Sequence, residues 1–357
     1  MTSLPAAIPA LPGLRSRGAA ALLPAALLVL AVAVLLNATN GAALIPASTV
    51  IATLLAPLGL AEPPDPGHAA ILWAVRFPRI GLALLVGAAL AVAGALMQGV
   101  FRNPLADPGV LGVSAGAALG AASVQVLVGR ETLALVPEPL RPWVLSIAAF
   151  GGALATAAFV GRLGQRGGVT TPESLLLAGV AVNSGLGGAL ALLLWIADDG
   201  ALRDVTAWMM GSLGGATPGV LLGIGPLLGV ALLLGLALRR PLDALVLGEA
   251  EAGHLGIDAG SVRRRVIVLS ALLVGAAVSV SGIIGFVGLV VPHLVRLAAG
   301  ATHRVVLVGS LLLGPTVLLL ADLGARTFAA PAEVPIGALT SLLGTPFFIA
   351  LLRGRRA

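Results

Sequence analysis

Few side chains in this 357-residue chain are equipped for chemistry, and their types narrow it quickly. There is no cysteine, so disulfides and thiolate metal sites are excluded. There is no lysine, so the chain holds no G-x-x-x-x-G-K-[ST] loop, whose lysine must reach the phosphates. Neither H-E-x-x-H nor a nucleophile constellation occurs. His293, beside Pro292, is read as a hydrogen-bonded structural imidazole, and no metal is expected. What remains is guanidinium chemistry and chain-reversal chemistry. Arg76 and Arg79 stand at the mouth of an apolar run, and guanidinium forks pair bidentately and directionally with carboxylates. Within GVFRNPLADPGVLGVSAGAALGA (Gly99–Ala121), Arg102, Asn103, Pro104, Asp107 and Pro108 are crowded together. Each proline suits a first helical turn, and Asn103 and Asp107 precede them in N-cap positions. The cluster therefore ends one helix and twice offers a start for the next.

The elements that must position these groups are apolar. The chain is 58% apolar and 10% charged, with a mean hydropathy of +1.07, whereas soluble domains carry about 25% charged residues. A bilayer span needs about 20 mainly apolar residues. Ten such runs lie near 19–36, 80–100, 107–128, 143–161, 174–196, 217–238, 266–284, 286–300, 305–321 and 335–352. Backbone polar groups in lipid must be satisfied internally, so an all-α integral membrane bundle of about ten transmembrane helices is expected. The short alternating segments of a β-barrel do not appear. The first run lacks a cleavage site and is read as a retained helix. A cytoplasmic tail over 1–18 and one transmembrane domain over 19–357 follow.

All 21 basic residues are arginines. With the N-terminus inside, fifteen of them fall on the cytoplasmic side and six outside, which favours this orientation over its inverse and places the C-terminus inside as well. Trp73, Trp143, Trp195 and Trp208 then fall at or just beyond outer span ends, where indoles are favoured. A pI near 11.5 does not signal nucleic acid, because the arginines are dispersed beside apolar runs where orientation signals sit.

Shifted by 188 positions, Gly87–Gly112 lies over Gly275–Gly300, with Gly87/Gly275, Gly94/Gly282, Pro104/Pro292 and Gly112/Gly300 among seven matches. The two spans concerned are five apart and so run in opposite directions, the pattern of an inverted-topology internal repeat.

RFPRIGLALLVGAALAVAGALMQGVFRNPLADPGVLGVSAGAALG (Arg76–Gly120) resembles the signature of the FecCD family of ABC importer permeases, which carry ferric siderophores, haem or cobalamin across the bacterial inner membrane. Further resemblances lie in LLLAGVAVNS (Leu175–Ser184), WMMGSLGG (Trp208–Gly215), LGEAEAGHLGI (Leu247–Ile257), SGIIGFVGLVVPHLVR (Ser281–Arg296) and VPIGALTSLLGTPFFIALL (Val334–Leu352), in the family's order. The resemblance implies two permease subunits, alike or related, meeting on an axis in membrane lipid. It also implies two separate ATP-binding subunits and an external substrate-binding protein. No resident cofactor is expected, and without lysine ATP must be bound by another chain. A ferric siderophore is the first expected cargo.

Carried over residue by residue, the resemblance gives Arg76, Arg79 and Arg326 the docking of the binding protein's carboxylates. The cytoplasmic segment Arg239–Arg265 becomes the coupling segment, with Leu245, Leu247, Gly248, Glu249, Leu255 and Gly256 as ATPase contacts. Thr170, Thr171, Asn183, Ser184, Thr340, Ser341 and Thr345 are expected along the translocation path or its gate. The alternative is an ion-gradient-driven secondary transporter. Such transporters need ionisable groups within spans, whereas Asp107, Glu173 and Asp322 sit at span ends.

Overall fold

Prolines and small polar caps decide where the helices begin. The computed structural model describes residues 12–354 apart from 42, 167, 168, 330 and 331. Helix α1 covers Pro12–Thr39 and so starts within the tail expected over 1–18. After it come α2 (Ala47–Leu55) and α3 (Pro66–Ile71), and a π turn then runs without a break into α4 (Phe77–Val100). Next are α5 (Val113–Ser123), prolonged by a π turn to Val128, α6 (Gly129–Ala134) and α7 (Arg141–Leu163). A two-residue antiparallel hairpin, β1 (Gln165–Arg166) with β2 (Val169–Thr170), leads to α8 (Pro172–Ile196) and α9 (Asp199–Met209). Then follow α10 (Pro218–Ala237), α11 (Arg239–Leu247), α12 (Glu249–His254), α13 (Ala259–Ser281), α14 (Val287–Ala299), α15 (His303–Thr327) and α16 (Ile336–Gly354).

The caps account for several of these starts. Asp107 accepts the Gly109 N–H at 2.6 Å and launches a 3₁₀ turn over Pro108–Leu111. Thr171 and Ser174 cap each other's backbone at the start of α8, and Asp258 takes two N–H groups at the start of α13. Asn103 differs from the sequence expectation. Its side chain accepts the Leu105 N–H at 3.0 Å and closes a turn, but no helix follows Pro104. The run expected from 107 therefore becomes helical only at Val113.

Among the described residues, seven helices are long and apolar enough to cross a membrane, and three shorter apolar ones, α5, α14 and α16, occupy the other expected positions. The order α4–α5–α7–α8 recurs as α13–α14–α15–α16, and its contacts are exchanged between the halves. Helix α4 packs on α14 and α15, and α13 packs on α5 and α7. A Cβ on Gly87 would stand 2.7 Å from Pro315 of α15, and its counterpart Gly275 faces Ala153 of α7. The halves run in opposite senses. The end of α13 lies beside the start of α16 and Arg79, through Ser212 N–H to Ser281 O and Ile336 N–H to Gly211 O.

The 188-residue register holds only within α4 and α13. Twelve residues separate α4 from α5, but only Gly282–Phe286 separate α13 from α14. Pro104 accordingly lies in a turn and Pro292 inside α14, so that pairing, and Gly112 with Gly300, are not structural equivalents. Helix α4 is the central post: 83% of its apolar stretch is buried, against 17% of α8's. Small residues permit this. A Cβ on Gly94 would stand 1.8 Å from the Gly288 carbonyl oxygen.

Candidate functional site

Polar side chains gather at the two ends of the bundle. Arg76, Arg79 and Arg326 meet at one of them, the end expected outside from the arginine distribution. Arg79 Nε donates to Asp322 Oδ1 at 2.9 Å, and its two terminal nitrogens donate to Glu333 Oε1 and Oε2, each at 2.9 Å. Arg326 Nε donates to Asp322 Oδ2 at 3.0 Å, and its other nitrogens reach Asn37 Oδ1 at 2.7 Å and the Asn40 carbonyl at 3.2 Å. Arg76 donates to the Ala38 and Ala43 carbonyls. Asn37 itself donates to the Ala33 and Leu319 carbonyls. The turn after α1 is thus wrapped over two guanidiniums, and the cluster ties together α1, α4, α15 and the approach to α16.

Asp322 is 1% exposed and bonded to two guanidiniums, which stabilise its charge in a buried place. Glu333 lies outside the spans, and the hydrogen bond from Arg79 holds its carboxyl below the usual glutamate range. The three arginines expected to dock a partner are buried or nearly so, with their donors turned to acceptors of this chain. Three guanidiniums face two carboxylates here, so one positive charge is left over.

The opposite end carries the segment expected to couple. It is helical as α11 and α12, hinged at Gly248, whose φ of 126° only glycine adopts readily. The segment has two faces. Leu242, Ala244 and Leu245 are buried against the bundle, while Val246, Leu247 and Leu255 point away, Leu247 being 66% and Leu255 63% exposed. Leu245, expected as a contact for another subunit, is an internal anchor in this chain. The Glu249 carboxylate is bonded to Arg263 of α13 at 2.6 Å, and Gly256 turns the chain out of α12 with a φ of 75°.

A second tie joins this segment to the core. Asp243 Oδ1 accepts the backbone N–H of His303 at 2.8 Å and lies 2.8 Å from its Nδ1. The imidazole is packed against Gly99 at the end of α4, where a Cβ would come within 2.6 Å of Nε2. One residue earlier, Gln98 donates to the Gly288 and Leu289 carbonyls and accepts from Arg296. Helices α4, α11, α14 and α15 are linked in this way. Sequence reasoning missed Asp243, His303, Gln98 and Asn37 as a set. Arg326 four residues after Asp322 was a visible helical pair, but Arg79 and Asp322 are 243 residues apart.

The expected path residues are scattered. Asn183 donates to the Gly109 carbonyl at 3.3 Å and ties α8 to the turn begun by Asp107. Ser184 and Thr345 are exposed and bond back into their own helices. Thr340 is buried and borders an apolar cavity of about 360 Å³ between α14, α15 and α16. Ser341 stands near Gly285, and Thr171 is spent as the α8 cap. Thr170 lies in β2, and its side chain falls outside the described residues. His293 is buried edge-on to Phe347 of α16.

Two interleaved inverted halves in an apolar helical bundle, with charge gathered at its ends, define a multi-pass membrane permease. The chain belongs to the FecCD transport family, whose sequence profile matches residues 28–354. It is 47% identical over 282 residues to the hemin transport system permease protein HmuU of Yersinia pestis, covering 79% of this chain and 83% of that one. It is 40% identical over 289 residues to the vitamin B12 import system permease protein BtuC of Escherichia coli, covering 80% and 84%. A solved structure described as an inward-facing conformation of a metal-chelate type ABC transporter superposes with a TM-score of 0.80 at 30% identity, over 94% of this chain and 99% of that one.

Proposed function

We propose that this chain is the membrane-spanning permease subunit of an ATP-driven importer of a bulky metal chelate in the bacterial inner membrane, with both termini cytoplasmic. The observation that carries the reading is the two-faced coupling segment. Its inner leucines fix it to the bundle while Leu247 and Leu255 are presented to a partner. Two ATP-binding subunits supply that partner surface, since a chain without lysine has no P-loop of its own.

A second permease subunit accounts for the open side of α8. Leu177, Val180, Leu192 and Trp195 are exposed there, and Gly185, Gly187 and Gly188 face open space, which lets another helix approach closely. The path then runs along that axis past Asn183, Ser184, Thr340, Ser341 and Thr345, weakly polar groups that release a cargo readily, with Thr170 and Thr171 nearer its gate. An external binding protein delivers the cargo to the end holding Arg76, Arg79 and Arg326, whose surplus positive charge suits acidic side chains.

Haem is the cargo to test first, because the relative that is 47% identical is named for hemin transport. The test is uptake into vesicles holding the complete transporter with its binding protein outside and ATP inside. Haem, a ferric siderophore and cobalamin are offered in separate arms. Uptake of haem that needs ATP and survives collapse of ion gradients supports the reading. Uptake without ATP that stops when the gradient is abolished favours the secondary-transporter alternative and overturns it.

A further inference from the structure

Arg79 holds two carboxylates that differ in kind. Along one edge of its guanidinium, Nε and one terminal nitrogen meet Asp322, whose side chain is 2% exposed. At its tip, the two terminal nitrogens meet both oxygens of Glu333 at 2.9 Å each, and that side chain is 48% exposed. Asp322 is locked between two arginines. Glu333 has one arginine and open solvent beyond it. Glu333 also stands three residues before α16, whose first turn is pinned to the end of α9 by Ile336 N–H to Gly211 O and Gly337 N–H to Met210 O.

An empty guanidinium in a buried place is costly, and a partner would have to find it in the right orientation. An internal carboxylate solves both problems. It keeps Arg79 charged, ordered and aimed outward until another carboxylate arrives, and exchanging one bidentate carboxylate for another costs little by itself. The partner's remaining contacts and the leftover positive charge then decide the direction of exchange.

We propose that Glu333 is a displaceable stand-in, occupying the outer tip of Arg79 until an acidic side chain of the docking external protein takes its place. Displacement removes the ion pair that fastens residue 333 to α4, and so docking loosens the approach to α16. This rests on the docking reading above and adds to it the residue that is exchanged and the helix that feels it.

The absence of cysteine makes the test clean, because a single thiol placed at exposed Ala332 can carry a nitroxide. In the reconstituted transporter, adding the external binding protein should raise the label's mobility. In E333Q the label should be mobile beforehand and respond no further. Binding-protein affinity should rise about fivefold in E333Q, because an attractive tip is left unclaimed. E333D, too short to hold both nitrogens, should fall between the two. R79K keeps a positive charge beside Asp322 but loses the fork, and should weaken binding. A label that ignores docking, or an E333Q affinity equal to wild type, while R79K still weakens binding, overturns the stand-in and leaves the docking reading intact. If R79K and R326Q both bind as wild type does, the docking reading fails and the stand-in falls with it.

Discussion

Asp243 of α11 caps α15 from outside: one carboxylate oxygen lies 2.8 Å from both the backbone nitrogen and the Nδ1 of His303. The segment proposed to meet the ATP-binding subunit therefore holds the first turn of a helix that crosses the bundle. At its far end the same helix carries Asp322 and Arg326. If this tie passes movement inward, D243A and H303A should each lower substrate carried per ATP in reconstituted vesicles, and the double variant should be no worse than either single one. H303N, whose amide can stand where Nδ1 does, should recover most of the ratio. Each single loss should also cost about 1–2 kcal/mol of stability, as expected for a charge-assisted hydrogen bond, which thermal unfolding of the purified protein reads. Additive effects in the double variant would show that the two residues do not act through each other.

Asp322 is the buried hub of the arginine cluster. Its replacement by asparagine leaves Arg79 and Arg326 facing each other without the charge between them. Breaking a buried ion pair by removing one member typically costs about 3–5 kcal/mol. D322N should lower the unfolding temperature more than E333Q does, since Glu333 is half in solvent and its pair is correspondingly screened. Equal small losses would mean that the cluster is held by its carbonyl contacts alone.

Glu333 also gives a pH dependence with a definite sign. Arg79 lowers its carboxyl pKa in the folded protein, so the folded state binds that proton less readily than the unfolded chain. The contribution is fully present above the ordinary glutamate value of about 4.3 and is lost as pH falls through the lower folded value. Wild type should lose stability across that acid range more steeply than E333Q. Parallel curves from pH 6 to pH 3 would remove the assignment.

Where α4 crosses α14 there is no room for a methyl group. G94A places Cβ 1.8 Å from the Gly288 carbonyl oxygen, a backbone atom that cannot swing aside as a flexible side chain would. It should abolish accumulation of folded protein in the membrane, whereas G215A, with nothing within 4 Å, should accumulate as wild type does. The measurement is the yield of monodisperse protein after extraction.

The apolar helices were legible because hydrophobic length is written locally. The expected run at 143–161 became α7 over 141–163, and the run at 217–238 became α10 over 218–237. The misread boundaries have local causes. The 107–128 run begins late because Asp107 and Pro108 set a 3₁₀ turn closed by Gly112 at a φ of 72°. The 266–284 run begins early because Asp258 caps a helix through GSVRRR. The repeat was visible where helix faces helix, at Gly87 and Gly275, and was lost where the two connections differ in length. Arg79 and Arg326 were legible as carboxylate partners, but not which carboxylates, and Arg76 meets backbone carbonyls instead. Arg79 finds Glu333 at a separation of 254 residues, and the packing of α4 on α15, with the turn after α15 folded back through Val334 N–H to Ala325 O, brings them together. Likewise, LGEAEAGHLGI marked a segment between two long apolar runs but not its two faces, since helix hydrophobicity alone does not say which leucine faces inward.

Those two faces let anchoring and the proposed partner contact be tested apart. Leu245 is 5% exposed and contributes to the packed core beside Leu242, so L245S should destabilise the permease by about 2–5 kcal/mol, through a cavity and a buried hydroxyl. Leu247 and Leu255 contribute little to that core. L247S and L255S should leave the unfolding temperature of the isolated permease within a degree or two, because exposed substitutions usually stay within about 0.5 kcal/mol. In the assembled transporter they are expected to matter more, since apolar side chains covered at an interface dominate its affinity. The double variant L247S/L255S should therefore fail to co-purify the ATP-binding subunit, while L245S that does fold should still retain it. Retention by L247S/L255S at wild-type yield would place the ATPase contact elsewhere on the inner surface. The exposed Arg239, Arg240, Arg264 and Arg265 would then be the next residues to change.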